Sequence, residues 1–294
     1  MDEHDFLAER FEAHRTHLRA VAYRMLGSLS EADDAVQEGW LRLSRSDAGE
    51  VENLGGWLTT VVGRVCLDML RSRTSRGEES LEVHVPDPLV SSSEGIDPEH
   101  EALLADSVGL ALLVVLETLA PAERLAFVLH DMFSVPFDEI APMVGRTPTA
   151  ARQLASRARR RVQRTASAPD ADLTRQREVV DAFLAASRGG DFDALLAVLD
   201  PDVVLRADTG AGLVGVSQVL RGSRAVAGQA LAFQRFSGFA RPALVNGAAG
   251  VVTALDGQPL AVMGFSIMRG RIVEIDILAD PERLRRLDLR VLGD

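Results

Sequence analysis

Gly145–Arg164 reads GRTPTAARQLASRARRRVQR, with seven arginines in twenty residues and no aspartate or glutamate. Thr147 can cap a helix, and Pro148 suits its first position, where no amide hydrogen is needed. From there Ala151, Leu154, Ala155, Ala158 and Val162 recur at helical spacing and define one apolar face. Thr149, Arg152, Gln153, Ser156, Arg157, Arg159 and Arg160 fall outside it. Upstream, PFDEIAPMVG supplies a shorter helix with Phe137, Ile140, Ala141 and Val144 inward and a turn at Gly145. Helix, glycine turn and second helix make a helix-turn-helix. The N-terminal residues of the second helix reach base edges in such a motif. Arginine pairs bidentately with guanine and glutamine with adenine, while the arginines that follow suit phosphates. A solvated face would interleave its arginines with acids, and this one has none. The segment reads DNA.

That basic module is embedded in an acidic chain of formal charge -11. Residues 1–76 carry 10 arginines against 13 acids, and residues 77–123 carry 11 acids and no arginine. Residues 124–166 then carry 8 arginines against 3 acids, and residues 167–294 carry 14 against 16. All the basic residues are arginine, which fits GC-rich codon usage more than chemistry. At 294 residues, with 47% apolar side chains, the chain is long enough for two or three folded domains. The single cysteine, Cys66, excludes an internal disulfide or multi-cysteine zinc site and is expected as a buried hydrophobe. No run approaches the ~20 apolar residues of a membrane span. The acidic start MDEHDFLAERFEAH is unlike a signal peptide. A cytoplasmic protein with no membrane contact, metal or cofactor is expected.

The remaining segments read as follows. Phe11, Leu18, Val21, Ala22 and Met25 predict a helix stopped by Gly27. Ser30 precedes a second, EADDAVQEGWLRL, with Ala35, Val36, Trp40, Leu41 and Leu43 as its stripe. A third begins near Trp57, with Leu58, Val61, Val62, Val65 and Met69 inward. Residues 74–101, rich in Ser, Gly, Pro and acid, read as a linker. Within it VHVPDPLV is more apolar than a free tether needs, so it is expected to dock. Helices resume over Ala102–Leu119. After residue 172 two helices give way to β-branched runs separated by glycine turns, which predicts an α+β domain with a curved antiparallel sheet.

EADDAVQEGWLRL followed by GWLTTVVGRVCLDMLRSR resembles region 2 of extracytoplasmic-function (ECF) sigma factors. LETLAPAERLAFVLHDMFSVPFDEIAPMVGRTPTAARQLASRARRRV resembles their region 4. The resemblance implies two all-α sigma domains, residues 1–73 and 102–166, joined by the acidic linker 74–101. It implies no catalysis. By that resemblance Asp33, Asp34, Gln37, Glu38, Trp40 and Leu41 dock on the β′ clamp helices of core RNA polymerase. Residues from about Ser44 to Asn53 match the loop that captures an unstacked base of the -10 element. Asn53, Trp57, Thr60, Arg64 and Arg71 would meet the -10 strand. Arg146, Thr149, Arg152, Gln153, Ser156, Arg157 and Arg160 would read the -35 element in promoter DNA. The acidic linker would thread channels of the polymerase built for nucleic acid.

Residues 172–294 resemble the SnoaL-like (NTF2-like) cone fold, which points to the sigma-J-like group. VPDP at Val85–Pro88 and ADPERL at Ala279–Leu284 resemble that group's linker and C-terminal signatures, with departures at individual residues. Asp208 and Asp276 are candidates for a pocket that would take a small apolar ligand. The domain is expected to modulate the sigma activity, so that no separate anti-sigma factor is required. Gly210, Gly212 and Gly215 form a G-x-G-x-x-G, but no βαβ unit follows and no acid stands about twenty residues on, so a glycine-rich loop is expected. Two other functions remain open to the sequence. One is a one-component helix-turn-helix regulator with a ligand-sensing domain; the other is a SnoaL-like enzyme with a DNA-binding appendage. The region 2 segment argues against the first.

Overall fold

The computed structural model describes residues 3–45, 53–76, 83–92, 109–165, 170, 172–210, 217–287 and 289. The chain divides into two compact units: residues 1–79 with 115–165, and residues 80–114 with 166–294. No helix is long and apolar enough to cross a membrane among the described residues.

The first unit is helical. α1 (Glu3–Leu26), α2 (Leu29–Leu43) and α3 (Leu54–Arg76) pack on one another. Leu18, Val21, Ala22, Met25, Val36, Leu58 and Val62 are all buried at their seam, as their spacing predicts. Gly27, at φ 69°, ends α1. The cap of α2 is Ser28, its hydroxyl accepting from the amide of Glu31. Two serines stand near this helix start, and only Ser28 has the extended backbone a cap requires. Removing one fully buried side chain, as in Leu58→Ala, should cost about 2–5 kcal/mol.

α4 (Leu110–Glu117) leads into α5 (Pro121–Phe127), which continues through a π-helical turn over Val128–Met132. α6 (Phe137–Val144) and α7 (Pro148–Thr165) form the helix-turn-helix. Gly145 sits between them in the left-handed region at φ 64°, where its amide and that of Arg146 both reach the Ala141 carbonyl. A side chain at that φ would be strained, so the sharp turn requires glycine.

The second unit carries α8 (Leu173–Gly189), α9 (Phe192–Val198), α10 (Ser223–Ala232) with a 3₁₀ turn over Gln234–Phe239, and α11 (Pro281–Leu284). Its strands are β1 (Val90–Ser91), β2 (Leu199–Asp208), β3 (Gln218–Arg221), β4 (Ala240–Val245), β5 (Ala248–Leu255), β6 (Gln258–Met268) and β7 (Arg271–Leu278). Among the described residues they form one sheet in the order β1-β4-β5-β6-β7-β2-β3. Asn246–Gly247 and Asp256–Gly257 make two of the hairpin turns with both residues at positive φ, the geometry that matches strand twist.

One pairing departs from the antiparallel sheet the sequence suggests: β2 runs parallel to β7, with Arg206 opposite Asp276. The two strands are some seventy residues apart, and local periodicity carries no information on such a pairing. One sheet face packs α8, α9 and α10 through Val203, Leu205, Val251, Phe265, Ile267 and Ile275. Side chains alternate along a strand, so Arg206, Asp208, Val262, Gly264, Asp276 and Leu278 belong to the opposite face.

Candidate nucleic-acid interface

α7 is built as the sequence predicts. Thr147 Oγ1 accepts from the Ala150 amide at 3.2 Å, and Ala151, Ala155 and Ala158 are fully buried against α5 and α6. Arg146, Thr149, Arg152, Gln153, Arg157 and Arg160 are exposed, and Ser156 is half-buried. The arginines are not equivalent. Arg157 donates to Glu123 at 2.7 Å and Arg159 to Asp131 at 2.8 Å, which ties both to the preceding helical segment. Arg152 lies with its guanidinium 5.2 Å from the Phe137 ring of α6. Arg152 and Gln153 stand near the amino end of the helix, where base edges are within reach in this motif.

On α3, Trp57, Thr60, Arg64 and Arg71 recur at steps of three, four and seven residues and so share a face. Trp57 and Thr60 are half-buried, while Arg64 and Arg71 are exposed. Asn53 Oδ1 accepts from the Gly56 amide at 3.0 Å, so this residue caps the helix as well as standing at its exposed end. Ser44, Arg45 and Asn53 flank the expected base-capturing loop, whose residues 46–52 lie outside the described residues.

α2 presents Asp33, Asp34, Gln37 and Leu41 outward. Leu41 is 37% exposed, unusual for a large hydrophobe here. Asp33 pairs with Arg19 at 2.7 Å and the half-buried Glu38 with Arg42 at 2.9 Å. Trp40 turns inward to meet the Phe11 ring at 5.2 Å, so part of its role is structural.

Within this unit, residues of α5, the π-helical turn and α6 also pack on α3. The Cβ position of Gly63 lies 3.4 Å from Leu129, 3.5 Å from Leu125 and 3.6 Å from Met143. Arg124, only 4% exposed, donates to the Met25 carbonyl at 2.8 Å, and Arg73 donates to the Leu26 carbonyl at 3.1 Å. Two arginines from different helices thus satisfy the orphan carbonyls that end α1. Burial pulls the Arg124 pKa down to about 10, opposed by Glu117 and assisted by Arg73. Sequence reasoning missed this cluster; an isolated arginine in an apolar helix, as in PAERLAF, was the available signal.

In the second unit, the apolar linker patch is docked. Val85, Leu89 and Val90 are buried, and Val90 and Ser91 extend the sheet as β1 beside β4. Leu89 and Asn246 exchange two hydrogen bonds of 2.8 and 3.1 Å. Arg283 is the clamp: it donates to Asp87 at 2.6 Å, to the Val85 carbonyl at 2.6 Å and to Asp208 at 2.8 Å. Asp208 also accepts from the Val85 amide at 3.1 Å and lies 3.3 Å from His84. Burial pushes the Asp208 carboxyl up, yet His84, the Val85 amide, Arg283 and the Gly210 amide together hold it down at about 2. Asp280 caps α11 through the amides of Glu282 and Arg283, so ADPERL is a capped turn that aims Arg283.

The two expected pocket acids are therefore engaged by protein groups. Asp276 is 2% exposed and receives Arg206 at 3.0 Å, while the same guanidinium bonds Glu274. Burial, and then the Glu274 charge, raise Asp276 to about 7 against the pull of Arg206. Cys66 is fully buried, and burial pushes its thiol far up. Gly212 and Gly215 of the glycine pattern lie outside the described residues.

A basic helix-turn-helix joined in one helical unit to a second, arginine-bearing helix and an acidic helix is the arrangement of the RNA polymerase sigma factor class. Residues 10–76 match Sigma-70 region 2, and residues 109–162 match Sigma-70, region 4. The chain is 38% identical over 302 aligned positions to the probable ECF RNA polymerase sigma factor SigI of Mycobacterium tuberculosis, covering 100% of both. It is 41% identical to the ECF RNA polymerase sigma factor SigJ of the same species, covering 91% of this chain and 86% of that one. The crystal structure of SigJ superposes with a TM-score of 0.77 at 35% identity, covering 96% of this chain and 99% of that one. The chain belongs to the ECF sigma factors. As a sigma factor it binds core RNA polymerase and promoter DNA, and sigma factors are not enzymes.

Proposed function

We propose that this sigma factor reads the -35 element with α7 and the -10 strand with α3, and that its C-terminal domain sets its activity by holding the linker. The clamp of Arg283 on Asp87, Val85 and Asp208 carries the second part. Residues 83–92 form part of the path between the two DNA readers, so what restrains them restrains how far those readers can separate. The docked linker lies beside Asp208, one of the two acids expected to line a ligand pocket. No separate anti-sigma protein is then needed.

The domain limits that fit this reading are residues 1–73 and 102–166 for the sigma regions, with residues 172–294 as the modulator. Arg152 and Gln153 supply -35 base contacts, Arg146, Thr149, Ser156 and Arg160 the flanking ones, and Asp33, Asp34, Gln37 and Leu41 the polymerase docking face. Runoff transcription with core polymerase tests the modulation. Arg283→Ala should shift promoter output at least severalfold from that of the unaltered chain, since the linker is released. Equal output from both proteins would refute control through the clamp.

A further inference from the structure

Thr209 to Leu255 contains four arginines and no aspartate or glutamate, in a chain of net charge -11. At the centre of this segment runs Phe233-Gln-Arg-Phe-Ser-Gly-Phe-Ala-Arg241, the 3₁₀ turn between α10 and β4. Among the described residues three large hydrophobics are exposed, and two of them fall here: Phe233 at 49% and Phe239 at 42%. Phe236 lies between them, 6.1 Å from the Phe233 ring, with the Arg235 guanidinium 4.7 Å from its own. Arg235 and Arg241 are exposed, and Arg188, at the end of α8, is exposed beside them. Gln234 fixes this arrangement by donating to the Arg188 carbonyl at 2.9 Å.

Aromatic faces that cost energy to leave in water, interleaved with Arg235 and Arg241 in a segment without acids, are the composition of a single-strand stacking platform, although Asp191 and Asp193 follow Arg188. We propose that the Phe233–Arg241 corner is a binding site for single-stranded nucleic acid. Phe233 and Phe239 stack on unpaired bases, and Arg235, Arg241 and Arg188 meet the phosphates between them. A protein partner would have to be acidic and apolar at once. Charge and exposed rings together favour a polyanion that also carries flat apolar faces. The site belongs to the second unit and shares no residue with α3 or α7, so substitutions here leave the proposed promoter-reading residues unaltered.

The test uses the full chain and a fluorescein-labelled oligothymidine of about twenty nucleotides, followed by anisotropy. Phe233→Ala with Phe239→Ala should weaken binding at least tenfold while leaving Arg152→Ala effects on duplex promoter DNA unchanged. Arg235→Ser, which leaves both rings in place, should lower the salt dependence by roughly 0.7 of a logarithmic unit per unit log salt. It keeps the test decisive should the double variant lose its fold. Unchanged oligothymidine binding in Arg235→Ser and in a folded double variant would overturn the proposal. So would a loss seen instead in binding to core polymerase, which would mark a protein surface. Promoter-specific transcription that persists through these failures would leave the sigma assignment intact.

Discussion

Arg152 and Arg157 differ by five positions and by nothing in residue type, yet their surroundings separate them. Arg157 is held by Glu123, whereas Arg152 lies over an aromatic ring near the amino end of α7. Arg152→Ala or Gln153→Ala should therefore cost ~1–3 kcal/mol on a preferred -35 sequence and change that preference. Electrophoretic mobility shifts on a set of -35 variants would check it, and equal losses on every sequence would mark phosphate contacts instead. Asp276 offers a second residue-level test. Its folded pKa is raised to about 7, so the folded state binds more protons than the unfolded one between about pH 4 and 7. Stability of the C-terminal domain should fall as pH rises through that window. Asp276→Asn should flatten the slope of the denaturant midpoint against pH, with Glu274 still pairing Arg206. A slope unchanged in the variant would show that another group titrates.

Among the elements, α3 and α7 were legible in the sequence because apolar residues at helical spacing and a glycine turn are local signals. The linker patch was legible as something that docks, since VHVPDPLV is too apolar for a tether. Its partner was not. Arg283 lies almost two hundred residues from Asp87, and no periodicity relates them. The same holds for the parallel pairing of β2 with β7 and for Arg124 on the end of α1. Such long-range polar contacts are chosen by tertiary geometry. They also make predictions at this scale. Removing one partner of a largely buried ion pair costs about 3–5 kcal/mol, so Asp87→Ala should expose Val85 and Val90 to solvent. Hydrogen exchange at the Leu89 and Val85 amides should accelerate at least a hundredfold, while helix α8 stays protected. Protection retained at both amides would mean the clamp is not what holds the linker.

For the whole molecule, the two proposed DNA readers belong to one compact helical unit, in which Leu125, Leu129 and Met143 pack on α3 around Gly63. If α3 and α7 read the -10 and -35 elements as proposed, the expected outcome is that this packing opens on the polymerase. Cys66 is fully buried with its thiol pushed far up, which leaves introduced cysteines to label selectively. Dyes at Arg71→Cys and Arg164→Cys should move apart when core polymerase binds, and Arg124→Met should favour the open state beforehand. Constant energy transfer on polymerase binding would contradict the opening. The acid of the chain is unevenly spread at this scale: residues 77–123 carry eleven acids and no arginine, while on the proposed reading faces Arg157 and Arg71 are each paired with an acid and Arg152 lies against a ring. The most direct measurement is runoff transcription with core polymerase over a promoter library, using the full chain and a form ending at about Ala168. The account predicts promoter-specific transcripts whose yield differs between the two forms. Promoter-specific RNA from neither form would contradict it.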